Sequence, residues 1–192
     1  MMRIITGSAR GVRLETLPGD EVTRPTTERV KEAVFSAIQF ELEGRRVLDL
    51  FGGSGQMGLE ALSRGAASCM FVDASPEAIA LIKRNAEKTH LSDRSRYLIS
   101  DYRNYLRKAR TREKFDVVFI DPPYATRAQA EALRRLLDGD LCNPGCLFVC
   151  EGAEEDVFGG DDALGARFRT RKAARYAHSW IHILTWEGEG NV

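Results

Sequence analysis

This sequence predicts an α/β fold: a mostly parallel, doubly wound sheet that closes in an antiparallel hairpin, preceded by a small N-terminal β-hairpin. Three observations carry that reading. Short apolar runs alternate with helix-period segments from Arg46 to Cys150, the pattern of successive βαβ units. Several of those runs stop at a carboxylate followed by a tight turn, as strands do at the ligand edge of an open sheet. Finally, 168–174 and 179–185 both read as strands with no helix-length segment between them, so they must be antiparallel.

The elements follow in order. Arg3-Ile4-Ile5-Thr6 and Val12-Arg13-Leu14-Glu15 flank the Gly-bounded stretch from Gly7 to Gly11, which predicts a basic hairpin. Residues 1–22 are therefore expected to form a hairpin extension, and 23–192 the main domain. Thr23 to Thr27 supplies hydroxyl caps and Pro25 for a helix whose Val30, Ala33, Val34, Ala37, Ile38 and Leu42 share one face. Then come a strand over 46–51, a Gly-rich loop, a helix ending near Arg64-Gly65, and a strand over 69–73. A helix starting at Pro76, a strand over 97–100 and a helix over 102–110 follow. A strand over 115–120, a helix over 128–137 and the strand from Gly145 to Cys150 complete the alternation. Crossovers between parallel strands should be right-handed.

Composition sets bounds. The chain has 192 residues, 43% hydrophobic and 29% charged, which suits one soluble domain. In the second half the longest apolar run, Cys146 to Cys150, is far too short to span a bilayer, and no signal-peptide core follows Met1. A cytoplasmic location is expected. The 28 basic and 28 acidic side chains cancel, so only their distribution can speak for a nucleic-acid partner. Cys142, Cys146 and Cys150 have cluster-like spacing, but two lie on a predicted strand, which cannot curl around a metal. They and Cys69 read as small buried hydrophobes. No metal is expected; His178 and His182, four apart on one expected strand face, have no third ligand in view.

Gly53-x-Gly55-x-x-Gly58, with Asp73 twenty residues after Gly53, matches the dinucleotide fingerprint. Asp49 argues against a dinucleotide, because a carboxylate before the loop would repel a pyrophosphate. A cofactor with a cationic group and no phosphate suits it better, as S-adenosylmethionine does. Asp73 can then take ribose hydroxyls and Asp101 the adenine amino group. Phe51, Gly52, Gly53, Ser54, Gly55, Ala74 and Tyr102 complete the candidate cofactor set.

Val117-Val118-Phe119-Ile120 runs into Asp121-Pro122-Pro123-Tyr124. Neither proline can donate a backbone hydrogen bond, so the strand stops in a stiff turn. Asp121 and the Pro122 carbonyl can each accept one N–H of an exocyclic amino group, aiming the nitrogen lone pair at an electrophilic methyl. Tyr124 can stack on the ring. Extruding a base costs a few kcal/mol. One stack, at ~1–3 kcal/mol, and a charged hydrogen bond, at ~1.5–3 kcal/mol, can offset it.

With these motifs on the page, the chain resembles the amino-methyltransferases, in which a (D/N)-P-P-(Y/F) turn accompanies the cofactor loop. Four stretches together resemble the RsmD family of bacterial 16S ribosomal RNA guanine-N2 methyltransferases: 3–7, 24–30, 58–66 and 119–124. The resemblance implies a Rossmann-like class I methyltransferase with a seven-stranded sheet, S-adenosylmethionine as methyl donor, and one guanine of 16S RNA as substrate, in an assembled or assembling small subunit. Two positions depart from the family pattern: Asp73 stands where a glutamate is usual, and Gly53 where an alanine is usual.

Arg3, Arg10, Arg13 and Arg24 are the candidate RNA-binding residues. The basic clusters at 103–114 and 167–175 are either further phosphate contacts or a solvated surface. Other readings stay open: an adenine-N6 methyltransferase on DNA or RNA, a nicotinamide-dependent oxidoreductase, and a non-catalytic RNA-binding module. No obligate protein partner and no membrane are expected.

Overall fold

The computed structural model describes residues 2–17, 25–109, 113–123 and 128–188, with backbone only at 25–27. The strands are β1 (Arg46–Asp49), β2 (Ser68–Asp73), β3 (Ser95–Ile99), β4 (Phe115–Ile120), β5 (Cys142–Gly152), β6 (Arg169–Tyr176) and β7 (Ser179–Trp186). They form one sheet in the order β3-β2-β1-β4-β5-β7-β6. Pairing is parallel from β3 through β5 and antiparallel for β5–β7 and β6–β7, as the sequence predicts. The helices are α1 (Pro25–Ala37), α2 (Gln56–Ser63), α3 (Pro76–Lys88), α4 (Tyr102–Lys108), α5 (Ala128–Asp138) and the short α6 (Asp162–Gly165). None of the described helices is long and apolar enough to cross a membrane.

Local chemistry accounts for the boundaries. The Ser75 hydroxyl accepts from the Ala78 amide at 3.1 Å, with Pro76 in the first turn, so α3 starts there. Asp101 caps α4 in the same way through the Arg103 amide. Three details differ from the sequence reading. α1 stops at Ala37, although Leu42 beyond it is still buried. α6 is an additional element, its start capped by Asp161, which accepts from the Leu164 amide. β5 begins at Cys142 rather than Gly145, because Pro144 and Gly145 fall in a bulge opposite β4, where a missing amide costs no ladder bond.

Alternation along the strands divides the core in two. Val47, Phe71, Val117, Phe119, Leu147 and Val149 face α1–α3, while Leu48, Val72, Val118, Ile120, Phe148 and Cys150 face α4–α6. All four cysteines are free and buried.

The N-terminal stretch is not held by a ladder. Within it, Arg3 and Arg13 form an isolated antiparallel bridge, supported by Ile4 N–H to Val12 O and Leu14 N–H to Met2 O. Its Ile4, Ala9 and Leu14 enter the main core. Gly7 presses against α2 so closely that a Cβ there would lie 1.8 Å from the Ser63 carbonyl oxygen.

Glu60 of α2 anchors this packing. It is fully buried and accepts from the Ile5 amide at 2.7 Å, the Thr6 amide at 3.0 Å and Arg64 Nε at 2.8 Å, with Lys31 Nζ at 3.2 Å. Lys31 in turn donates to the Arg3 carbonyl oxygen at 2.5 Å. Burial lowers the Lys31 pKa, and Glu60 opposes that fall. Removing one member strands a buried charge. Glu60→Ala is therefore expected to cost about 3–5 kcal/mol in denaturant unfolding. A loss below ~1 kcal/mol, the scale of an exposed pair, would contradict this account.

Candidate active site

The sheet order reverses between β1 and β4. The chain runs outward from β1 to β3 on one side and from β4 to β5 on the other. The crevice above such a reversal is where open α/β sheets bind ligands. Asp49 ends β1, Asp73 ends β2, Asp101 follows β3 and Asp121 follows β4. The sequence-predicted carboxylates therefore share one edge of the sheet. Among the described residues, none of the four forms an ion pair.

Asp49 is buried and accepts from the Gly58 amide in the first turn of α2 at 3.1 Å. Burial pushes its pKa up to about 7, against the pull of that amide, and Asp73 adds to the rise. Gly58 must lack a side chain, since a Cβ would sit 2.3 Å from the Phe71 ring and 2.7 Å from Cys69 Sγ. Asp73 accepts from the Gly53 amide at 2.9 Å and the Ser75 amide at 2.8 Å, one on each oxygen. Both oxygens retain a lone pair for a further donor. Asp101 spends one oxygen capping α4.

The glycine loop has few amides left to give. Gly52 donates to Val72 O, Gly53 to Asp73, Gly55 to Gly52 O, and Gly58 to Asp49. A pyrophosphate site needs free amides and no nearby anion. Here the amides of all three fingerprint glycines are spent, two of them on carboxylates. The carboxylates beside the loop disfavour a pyrophosphate there. The same donor set, acidic and without a described cation, fits a cationic, phosphate-free cofactor.

Other predicted cofactor residues are placed differently from one another. Ala74 is exposed, beside Asp73. The Ser54 hydroxyl donates to Met2 Sδ at 3.1 Å and its carbonyl accepts from Asn85. Phe51 and Tyr102 pack together, ring centres 5.1 Å apart. The Tyr102 hydroxyl donates to Glu131 at 2.8 Å. Burial and then the bond to Glu131 push its pKa up to about 12. The phenol hydroxyl is thus committed to the α4–α5 contact.

Asp121 faces the cleft, where water reaches it, while protein encloses its other sides. That enclosure, then the charges of Glu151 and Asp49, raise its pKa above the ordinary carboxylate range. Pro122 is buried behind it. Tyr124 and Arg24 lie outside the described residues. Glu151, the penultimate residue of β5, was missed in the sequence, although it follows the apolar run ending at Cys150 just as Asp121 follows Ile120. Its pKa is raised by burial, against a hydrogen bond from Ser179.

The basic surface is less free than its sequence implies. Arg3 pairs with Glu28, Arg103 with Glu131, Lys114 with Asp140, Arg167 with Asp138, Arg169 with Glu187 and Arg171 with Glu41. Arg10 and Arg13 are exposed and form no ion pair among the described residues. His178 lies in the β6–β7 turn and His182 is buried in β7, so they do not share a strand face. No group of metal-binding side chains occurs among the described residues.

Residues 2–180 match the family described as conserved hypothetical protein 95. The Haemophilus influenzae ribosomal RNA small subunit methyltransferase D is 32% identical over 78% of this chain and 78% of its own. The chain belongs to the RsmD family. Another relative, Bacillus subtilis YlbH, described as a candidate rRNA methyltransferase, is 42% identical over 71% of this chain and 74% of its own. Among solved structures, Escherichia coli yhhF, described as a candidate methyltransferase, superposes with a TM-score of 0.83 at 26% identity, covering 98% of this chain and 99% of that one. RsmD membership does not favour the adenine-N6 reading, since the relatives so named carry small-subunit ribosomal RNA in their name.

Proposed function

We propose that this chain transfers a methyl group from S-adenosylmethionine to the exocyclic N2 amino group of a guanine in 16S ribosomal RNA, in an assembled or assembling small subunit. The observation that carries the reading is the placement of Asp49 and Asp121. They stand on the same face of adjacent strands, β1 and β4, with Asp121 two residues further along the register. One carboxylate is thereby available to a cationic methyl donor and the other to the amino group that receives the methyl.

S-adenosylmethionine supplies an electrophilic methyl on sulfur. Asp49 holds its ammonium group, Asp73 its ribose and the second oxygen of Asp101 its adenine amino group. Asp121 and the Pro122 carbonyl accept the two N–H groups of N2 and turn its lone pair toward the methyl, a near-attack geometry. As the N–C bond forms, the S–C bond of the donor would break and S-adenosylhomocysteine would leave with that electron pair, and the nitrogen becomes cationic and must lose a proton. Asp121 is placed to accept it, and its raised pKa makes it a better base than an ordinary carboxylate. Tyr124 stacks on the base. Arg10 and Arg13 of the 1–22 extension, with Arg3 and Arg24, contact RNA phosphates.

Two outcomes test the assignment. Asp49 attracts a cation only when ionised, so cofactor affinity should rise as pH increases through about 7 and then level off. Asp49→Asn should flatten that dependence and weaken binding about ten- to a hundredfold, both read by calorimetric titration. Affinity independent of pH between 6 and 8 would remove Asp49 from the site. Asp121→Ala should keep cofactor affinity and slow methyl transfer by about 10²–10⁴. In the wild type the single-turnover rate should fall on acidification with a midpoint above ~3.9; unchanged turnover in the variant would rule out its role.

A further inference from the structure

A second carboxylate stands beside Asp121, and no step above uses it. Ile120 pairs with Cys150 across β4 and β5, so Asp121 and Glu151 are the next neighbours. By strand alternation, Glu151 shares the α1–α3 face with Leu147 and Val149, as Asp121 does with Val117 and Phe119. Both line one narrow crevice with a cavity volume of about 20 Å³. Its floor is Phe119, Val149 and Ile181 from the sheet. Val30 and Val34 of α1 and Met57 of α2 form its other apolar walls. The crevice is thus mainly apolar, with Lys31, Gln56 and the two carboxylates as its polar lining; the Lys31 ammonium is committed to Glu60 and the Arg3 carbonyl. Gln129 secures the Glu151 end by donating to the Glu151 backbone carbonyl at 2.5 Å.

The pair has a chemical preference. An ionised carboxylate accepts hydrogen bonds and donates none. Two side by side repel, with only Ser179 reaching Glu151, so a ligand edge with two neighbouring donors favours the doubly ionised pair. The edge of guanine offers them: N2–H and N1–H are adjacent. Adenine sets its amino group beside N1, which carries a lone pair and meets a carboxylate with repulsion. We infer that Glu151 reads guanine, accepting its N1–H while Asp121 accepts an N2–H at the mouth of this crevice. The inference rests on the guanine-N2 reading and adds what the Asp-Pro-Pro-Tyr turn lacks, since that turn recognises only an amino group. A site built around a donor rejects an analogue without it far more strongly than an apolar slot does.

The test uses the full chain with S-adenosylmethionine and small ribosomal subunits lacking the modification. Wild type, Glu151→Gln and Glu151→Ala are compared by methyl transfer with nucleoside analysis, by cofactor titration, and by inhibition with GMP against AMP. Expected are unchanged cofactor affinity and a kcat/KM about ten- to a hundredfold lower in the Ala variant. Wild type should be inhibited by GMP in preference to AMP. Glu151→Gln should narrow that preference, because its amide both accepts and donates. If the Ala variant fails to fold, the GMP/AMP ratio of Glu151→Gln decides, since a ratio does not depend on the active fraction. Variants that keep the wild-type kcat/KM and the GMP preference would overturn the role of Glu151. A wild type that yields no N2-methylguanosine would instead remove the guanine reading on which it rests.

Discussion

One buried carboxylate holds the cleft's surroundings together. Glu60 binds two amides of the N-terminal stretch, a lysine of α1 and an arginine of its own helix. Through it, α1, α2 and the first residues of the chain form one body on one face of the sheet. Neighbouring polar groups reinforce the joint: Ser63 Oγ accepts from the Ala9 amide and donates to Thr6 O, and the Asn85 side chain bonds both backbone groups of Glu15. Asn85 also donates to Ser54 O in the glycine loop. α1 walls the pocket beside Asp121, and the first turn of α2 supplies the amide that holds Asp49. The site's geometry therefore depends on an interaction that touches no ligand. A buried ion pair is weak evidence for net stability, but breaking it is costly, which suits a device that fixes relative placement.

The cleft itself is an electrostatic choice. Aligned parallel strands bring Asp49, Asp73, Asp101 and Asp121 to one edge, with Glu151 next to the last. Such crowding of acids is costly unless something neutralises it. The proteins that bind dinucleotides at this position offer free amides to phosphate; this one binds two of its glycine amides to its own carboxylates and faces the cleft with acidic side chains. A cationic donor and an amino-bearing base are the reactants that such a surface lowers in energy. Both Asp49 and Asp121 hold their protons more tightly than ordinary carboxylates while the cleft is open. The arrival of positive charge or N–H donors then favours the ionised form.

Much of this was legible in the sequence. Strand alternation, the final hairpin, the three carboxylates of the cofactor edge and Asp121 all follow from local pattern, because a strand ending at an acid before a turn is a local event. What escaped depends on partners far apart in sequence. Glu60 reads as one more helix acid until Ile5, Thr6 and Lys31 are folded against it. The basic clusters look free because their acids, Glu131, Asp138, Glu187 and Glu41, lie elsewhere in the chain. Tyr102 shows in sequence only as the residue after Asp101, and packing turns its ring to Phe51 and its hydroxyl to Glu131. Glu151 was within reach: it follows an apolar run as Asp121 does, and only the β4–β5 register makes the pair meaningful.

The most direct measurement is transfer of labelled methyl from S-adenosylmethionine to small ribosomal subunits, naked 16S RNA and DNA, each followed by nucleoside analysis. The account predicts label in N2-methylguanosine from ribosomal RNA, with none in DNA. Label recovered as methyladenosine, or DNA as the preferred acceptor, would contradict it.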